Sequence, residues 1–113
     1  MHEYSIIAAL LERVQAEAAA HGASAVTRLW VQVGELSGVE CELLRTAYET
    51  FRERTICKDA PLELSRIPAR WACTRCDLEI ASGGALACPE CGRPARLCGG
   101  DELMLQRIEM EVA

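Results

Sequence analysis

Aromatic side chains are scarce in this chain: Tyr4, Trp30, Tyr48, Phe51 and Trp71 are all it has. Aliphatic residues must therefore fill whatever core forms. With 113 residues, half of them hydrophobic, there is enough for one modest domain, or one domain carrying a small insertion. No run approaches the roughly 20 apolar residues of a membrane helix. The opening "MHEYSIIAALLERVQAE" has no basic stretch ahead of its apolar residues and acquires charge early, unlike a secretory signal. The expected setting is soluble and cytoplasmic, with no membrane partner. A basic excess is absent as well: the formal charge is −5, which argues against a general nucleic-acid binder. There are two histidines, neither near a nucleophile in a recognisable motif, so an ordinary hydrolase is a poor reading. The chain reads as something other than an enzyme.

Cysteine, by contrast, is abundant. Seven thiols, an odd number, in a chain without a secretory signal speak against a disulfide framework and for metal ligation. Four of them form two pairs, Cys73-x2-Cys76 and Cys88-x2-Cys91, separated by eleven residues. Each pair can place two thiolates on one ion from a tight knuckle, and four thiolates complete a closed tetrahedral structural zinc site. In the second knuckle, "CPECG", Pro89 sets one backbone angle and Gly92 permits the positive φ that follows such turns. No coordination position is left open and no histidine is near, which argues against catalytic zinc, and binding should drive folding of the segment outright. The same knuckles would serve a tetrathiolate iron centre, so a small electron carrier stays open on spacing alone. Cys41, Cys57 and Cys98 are read as small buried or partly buried residues.

The rest of the chain reads as ordinary structure. Ser5 is a candidate N-cap for a helix with Ile6, Ile7, Leu10, Leu11, Val14 and Ala18 at helical spacing. That helix stops at His21-Gly22, so His21 is a helix-end residue, not a ligand. "VTRLWVQV" alternates as a strand with Leu29, Val31 and Val33 on one face. Ser37 and Glu40 match a capping box opening a second helix, with Val39, Leu43, Leu44, Ala47, Tyr48 and Phe51 on one face and an end near Thr55. "PLELSRIP" gives a second strand with Leu62 and Leu64 inward. The tail "DELMLQRIEMEV" alternates again, with Met104, Gln106, Ile108, Met110 and Val112 sharing a face. Residues 69–100 lack such periodicity and need something other than a core to hold them. The expected fold is α+β: two helices packed on a small mixed β-sheet, residues 1–68 plus 101–113, with an inserted four-cysteine zinc-ribbon-like module at 69–100.

Charge is uneven across these parts: residues 1–65 carry a net −4, residues 66–98 a net +2. The arginines Arg66, Arg70, Arg75, Arg93 and Arg96 make a zinc-ribbon module that binds nucleic acid or protein the alternative reading. The overall acidity and the few aromatics near the knuckles weigh against it.

The first three residues offer a metal site of another kind. Histidine is large, so Met1 is expected to be retained, and its α-amine has a pKa near 8 that makes the neutral donor accessible. The amine and the His2 amide nitrogen close a five-membered chelate ring; that amide and the imidazole Nδ1 close a six-membered one. Nickel(II) and copper(II) favour such a near-planar nitrogen set, and zinc gains less from it. Glu3, Glu40 or a partner group could supply a fourth donor.

"MHEYS", "VGELSGVE", "AYETFRE", the paired C-x2-C motifs and the closing "GDELMLQRIEMEV" together resemble the HypA/HybF family of hydrogenase nickel-incorporation proteins. The likeness runs through essentially the whole chain. It implies a nickel metallochaperone that helps load [NiFe] hydrogenase, and in some organisms urease. It implies a nickel-binding α/β domain and a zinc domain held by Cys73, Cys76, Cys88 and Cys91. His2 would be the essential nickel ligand, with Met1 and Glu3 contributing amine or backbone donors. Glu40 falls where some members place a carboxylate near the metal. The partners implied are a HypB-type nickel-handling GTPase and the hydrogenase large-subunit precursor; a homodimer is left open. Some relatives recruit a second histidine from the zinc module, and this chain has none there.

Overall fold

Helical and strand periodicities fall where the apolar residues place them, with departures at the starts of both helices, in the last strand and in the cysteine-rich segment. The computed structural model of the chain describes residues 2–81 and 83–112. Helix α1 spans His2–Ala20 and buries Ile7, Leu10, Leu11, Val14 and Ala18 along one stripe. It begins at His2, three residues before the expected Ser5 cap. No helix breaker occupies those positions, and Glu3 in the first turn suits the positive end of the helix dipole. Gly22 closes the helix in the left-handed region (φ 66°), as expected, and the His21 ring Nδ1 lies 2.9 Å from the Glu17 carbonyl.

Strand β1, Ala23–Gly34, is the centre of a three-stranded sheet. It pairs in parallel with β2, Leu62–Ile67, and antiparallel with β6, Leu103–Val112, which makes the sheet mixed. Helix α2, Cys41–Phe51, provides the crossover that a parallel pair requires. Both helices pack against Val26, Leu29, Val31, Val33 and Leu62 of the sheet, together with the fully buried Cys57. Tyr48 of α2 donates its hydroxyl to the Ala60 carbonyl at 2.7 Å, and Arg52 donates to the same oxygen at 2.8 Å, so the 57–60 turn is held onto the helix.

The expected capping box is not formed. Gly38 takes φ 77° and the Ser37 hydroxyl accepts the Val39 N–H at 3.3 Å, so residues 37–39 are spent on a turn. The helix therefore starts at Cys41 with Glu40 as its N-cap, extended and without a side-chain cap bond. Leu43 and Phe51, expected on the buried face, are 53% and 45% exposed. Phe51 instead meets Tyr4 edge-on, ring centres 5.2 Å apart, at the rim between the two helices.

The alternation in β6 also breaks. Trp30 faces Arg107 but Val31 faces Leu105, so Gln106 is the extra residue of a bulge. Leu103, Leu105 and Ile108 pack on the core, where strict alternation put Met104 and Gln106 with Ile108. A matching bulge at Thr27 lets Val26 and Leu29 share the buried face. On the open face, Trp30 lies between the guanidinium groups of Arg107 (4.7 Å from the ring centre) and Arg28 (5.8 Å), and Arg28 pairs with Glu63 at 2.7 Å.

Residues 70–99 build a second, antiparallel sheet in the order β4-β3-β5: β3 is Arg70–Cys73, β4 Glu79–Ile80 and β5 Ala95–Gly99. Sequence periodicity missed these strands because none exceeds five residues. Among the described residues its buried cluster is Cys73, Ile80 and Cys88, with Trp71 and Ala95 against it. The two sheets meet where Gly34 and Gly100 pass so closely that a Cβ on Gly34 would lie 2.5 Å from the Gly100 carbonyl group. The Glu35 carboxylate accepts the Ala69 N–H at 2.7 Å and the Leu36 N–H donates to Gly100 at 2.7 Å. The molecule is elongated, 57 × 28 × 17 Å with a radius of gyration of 17.9 Å. A compact chain of this length would have about 13 Å.

Candidate metal centres

Cys73 closes β3, and its amide donates to the Leu78 carbonyl at 2.8 Å, folding residues 73–78 into a tight loop. Cys88 repeats the pattern, its amide bonded to the Arg93 carbonyl at 2.8 Å. Each knuckle needs a left-handed residue after its second cysteine. Gly92 (φ 75°) fills that place in the second, as expected, and Asp77 (φ 60°) fills it in the first. Asp77 went unnoticed in the sequence. Its signal was its position after Cys76, since aspartate tolerates the left-handed region better than most residues. Asp77 also accepts from Arg96 at 2.6 Å, and Glu79 from Arg70 at 2.8 Å, which spends two of the five ribbon arginines inside the module.

The loops bring the four sulphur atoms within 4.8 Å of one another, with Cys73 and Cys91 at 3.5 Å. Four thiolates around one ion with metal–sulphur bonds of about 2.3 Å would stand roughly 3.8 Å apart, so the group fits a tetrahedral metal. The electrostatics agree. The amides of Cys76 and Arg75, both 3.3 Å from the sulphur, lower the Cys73 thiol to about 6. The nearby sulphurs of Cys91 and Cys73 push Cys76 up to about 12. One thiolate forms readily and then opposes the next, so the full set of four needs a bound cation to coexist. Cys98 stands outside the group, exposed on β5 with its thiol donating to the Arg70 carbonyl at 3.3 Å. That corrects its expected burial. Cys57 is buried and Cys41 half-buried, as expected.

At the amino end, Met1 lies outside the described residues. His2 is the exposed first residue of α1, and its neighbour Glu3 reaches across to α2. The Glu3 carboxylate accepts the Glu40 N–H at 3.2 Å. That bond, then Glu3's own amide, holds its carboxyl below the usual carboxylate range. The fold thus brings together two of the candidate nickel residues, Glu3 and Glu40, that are 37 positions apart in sequence. Glu40's own carboxylate is exposed and makes no hydrogen bond or ion pair among the described residues, because the capping role expected of it is not used. His21 lies elsewhere, in a cleft of about 450 Å³ between α1 and β6 whose lining holds no thiol or hydroxyl nucleophile. Among the described residues, no helix is long and apolar enough to cross a membrane.

Known proteins with this architecture are consistent in kind. The family profile for hydrogenase/urease nickel incorporation, metallochaperone, hypA, matches residues 1–110. The hydrogenase maturation factor HypA of Shewanella sp. (strain MR-7) is 40% identical over 98% of this chain and 96% of its own length. That of Wolinella succinogenes is also 40% identical, over the same shares. The solution structure of the Ni metallochaperone HypA from Helicobacter pylori superposes with a TM-score of 0.76 at 28% identity, covering 98% of both chains. A second HypA solution structure reaches 0.83 at 29% identity over 100% of this chain and 98% of the other. The chain belongs to the HypA family of hydrogenase and urease nickel-incorporation metallochaperones.

Proposed function

We propose that the chain captures Ni2+ at its amino end and delivers it to a hydrogenase precursor, with Met1, His2, Glu3 and Glu40 forming the site. The convergence of the two helix starts, through the 3.2 Å Glu3–Glu40 bond, is the observation that supports this reading most directly. His2 is the first residue of α1, and the leading N–H groups of a helix have no partner within it. Deprotonating the His2 amide therefore breaks no helical hydrogen bond. The helix dipole eases that deprotonation. It disfavours a cation by roughly 0.3–1 kcal/mol, which the two carboxylates offset. Glu3 offers its backbone while its carboxylate is occupied by the Glu40 amide. Glu40, with its carboxylate unengaged, is the better fourth donor. Three nitrogens in a plane suit nickel, and an exposed site with an incomplete ligand set lets a partner take the ion by ligand exchange. The chain carries metal and catalyses no bond change.

Cys73, Cys76, Cys88 and Cys91 hold the second metal, which we assign as structural zinc: it supplies the cross-link that a three-residue buried cluster cannot. Residues 69–100 are accordingly the zinc domain, and 1–68 plus 101–113 the nickel domain, acting in the cytoplasm with a HypB-type GTPase and the [NiFe] hydrogenase large-subunit precursor. The test is calorimetric titration of untagged protein with Ni2+. His2→Ala, or an extension that blocks the terminal amine, should abolish nickel binding while zinc content and fold stay intact. Unchanged nickel affinity in either protein would refute the site.

A further inference from the structure

The four sulphurs of the thiolate centre are not equivalent, and their inequality defines a reactive edge. Cys73 is 0% exposed and Cys88 3%, whereas Cys76 and Cys91 reach the surface. The backbone divides them again. Cys73 accepts the amides of Arg75 and Cys76, Cys88 accepts that of Glu90 at 3.4 Å, and the Arg93 amide is directed at Cys91. Among the described residues no amide reaches Cys76, whose neighbours are the sulphurs of Cys91 and Cys73. An N–H bonded to a thiolate stabilises its charge and blunts it as a nucleophile. Cys76 is thus at once accessible and electron-rich.

We propose that Cys76 is the site at which hydroperoxides oxidise the thiolate centre, with Cys91 closing the disulfide that releases the metal. The proposal rests on the reading of the four cysteines as a loaded zinc site. The Cys76 thiolate attacks the terminal peroxide oxygen; the O–O bond breaks, and the alkoxide leaves as an alcohol after taking up one proton. The Cys76 sulphur, now a sulfenic acid, is oxidised by two electrons. The Cys91 thiolate then attacks it, forming the S–S bond and expelling hydroxide, which a second proton converts to water. Two thiolates lose two electrons, and one hydroperoxide becomes one alcohol and one water. Cys91 is the resolving thiolate because it shares the exposed edge, whereas Cys73 and Cys88 are enclosed. After the step only the Cys73 and Cys88 thiolates remain to hold the ion, so the metal leaves and the Cys76–Cys91 bond is the link left between the knuckles, while the residues of the nickel end, at the starts of α1 and α2, are untouched.

Zinc-loaded Cys98→Ser protein is the material for the test, since Cys98 is an exposed thiol outside the centre. Zinc is quantified first, then limiting tert-butyl hydroperoxide is added, release is followed with a colorimetric chelator, and products are mapped by mass spectrometry with dimedone present or absent. The expected result is one zinc released per peroxide consumed, a Cys76–Cys91 disulfide as first product, and the dimedone adduct on Cys76. A first disulfide between other cysteines, an adduct elsewhere, or zinc retained through many equivalents of peroxide would overturn the proposal. Protein that carries no zinc at the outset would overturn the structural-zinc reading and the proposal with it.

Discussion

Replacing Gly100 with alanine tests how rigidly the two sheets are joined. Gly100 sits at φ 86°, where a side chain costs roughly 1–2 kcal/mol. Its added Cβ would stand 2.5 Å from the Pro68 carbonyl oxygen and 2.6 Å from the Ala69 Cα. Both are backbone atoms, so no side chain can swing aside, and relief requires moving the chain that also holds the Glu35–Ala69 and Leu36–Gly100 bonds. Overpacking of this kind typically adds about 1–3 kcal/mol, for a total of about 2–5 kcal/mol. Gly22→Ala is the internal control: it has the same backbone handedness (φ 66°) but nothing within 4 Å of the new carbon, so it should cost only the first 1–2 kcal/mol. Urea unfolding of the zinc-loaded proteins, followed by far-UV circular dichroism with slopes compared, measures both. If Gly100→Ala were no more destabilising than Gly22→Ala, the close approach would not be a structural constraint and the junction would be loose.

Other perturbations have equally definite outcomes. Tyr48→Phe should cost about 0.5–1.5 kcal/mol in the same assay and not the larger penalty of an orphaned buried carbonyl, because Arg52 still donates to Ala60. The Glu3 carboxyl is lowered by the Glu40 amide, so its contribution to stability is complete above the ordinary carboxylate pKa and disappears as pH falls through the lowered value. An NMR titration should show the Glu40 amide shifting with a midpoint below the roughly 4.3 of a free glutamate. Stripping the thiolate-bound metal with a strong chelator should abolish hydrogen-exchange protection in β3–β5 while the helical dichroism of α1 and α2 persists. Protection retained in the stripped protein would mean that the small Cys73–Ile80–Cys88 cluster suffices alone.

What could be read from the sequence follows the range of the interactions involved. The cysteine knuckles were legible because their geometry is set within four residues, and the inward faces of β1 and β2 because Leu29, Val31, Val33 and Leu62 follow period two up to the next bulge. The face of β6 was not, since Gln106 is displaced by its register against β1, a strand more than 70 residues earlier in the chain. The start of α2 failed for a related reason. Ser37 and Glu40 have the spacing of a reciprocal cap, but the positive φ of Gly38 uses Ser37 in the preceding turn, and a carboxylate from α1 takes the Glu40 amide.

That last substitution carries a consequence for the nickel end. Had the capping box formed, Glu40's carboxylate would have turned back onto the helix, and the proposed amino-terminal chelate would have had no fixed neighbour. With Glu3 in its place, the tie between the helices and the unengaged acid arise from one hydrogen bond. Glu3→Gln, which retains an acceptor but no charge, should therefore weaken nickel binding less than Glu3→Ala does, while Glu40→Gln should weaken it without loosening the start of α1. If Glu40→Gln bound nickel as the unaltered chain does, the fourth donor would have to come from elsewhere, and the bond between the helix starts would be structural only.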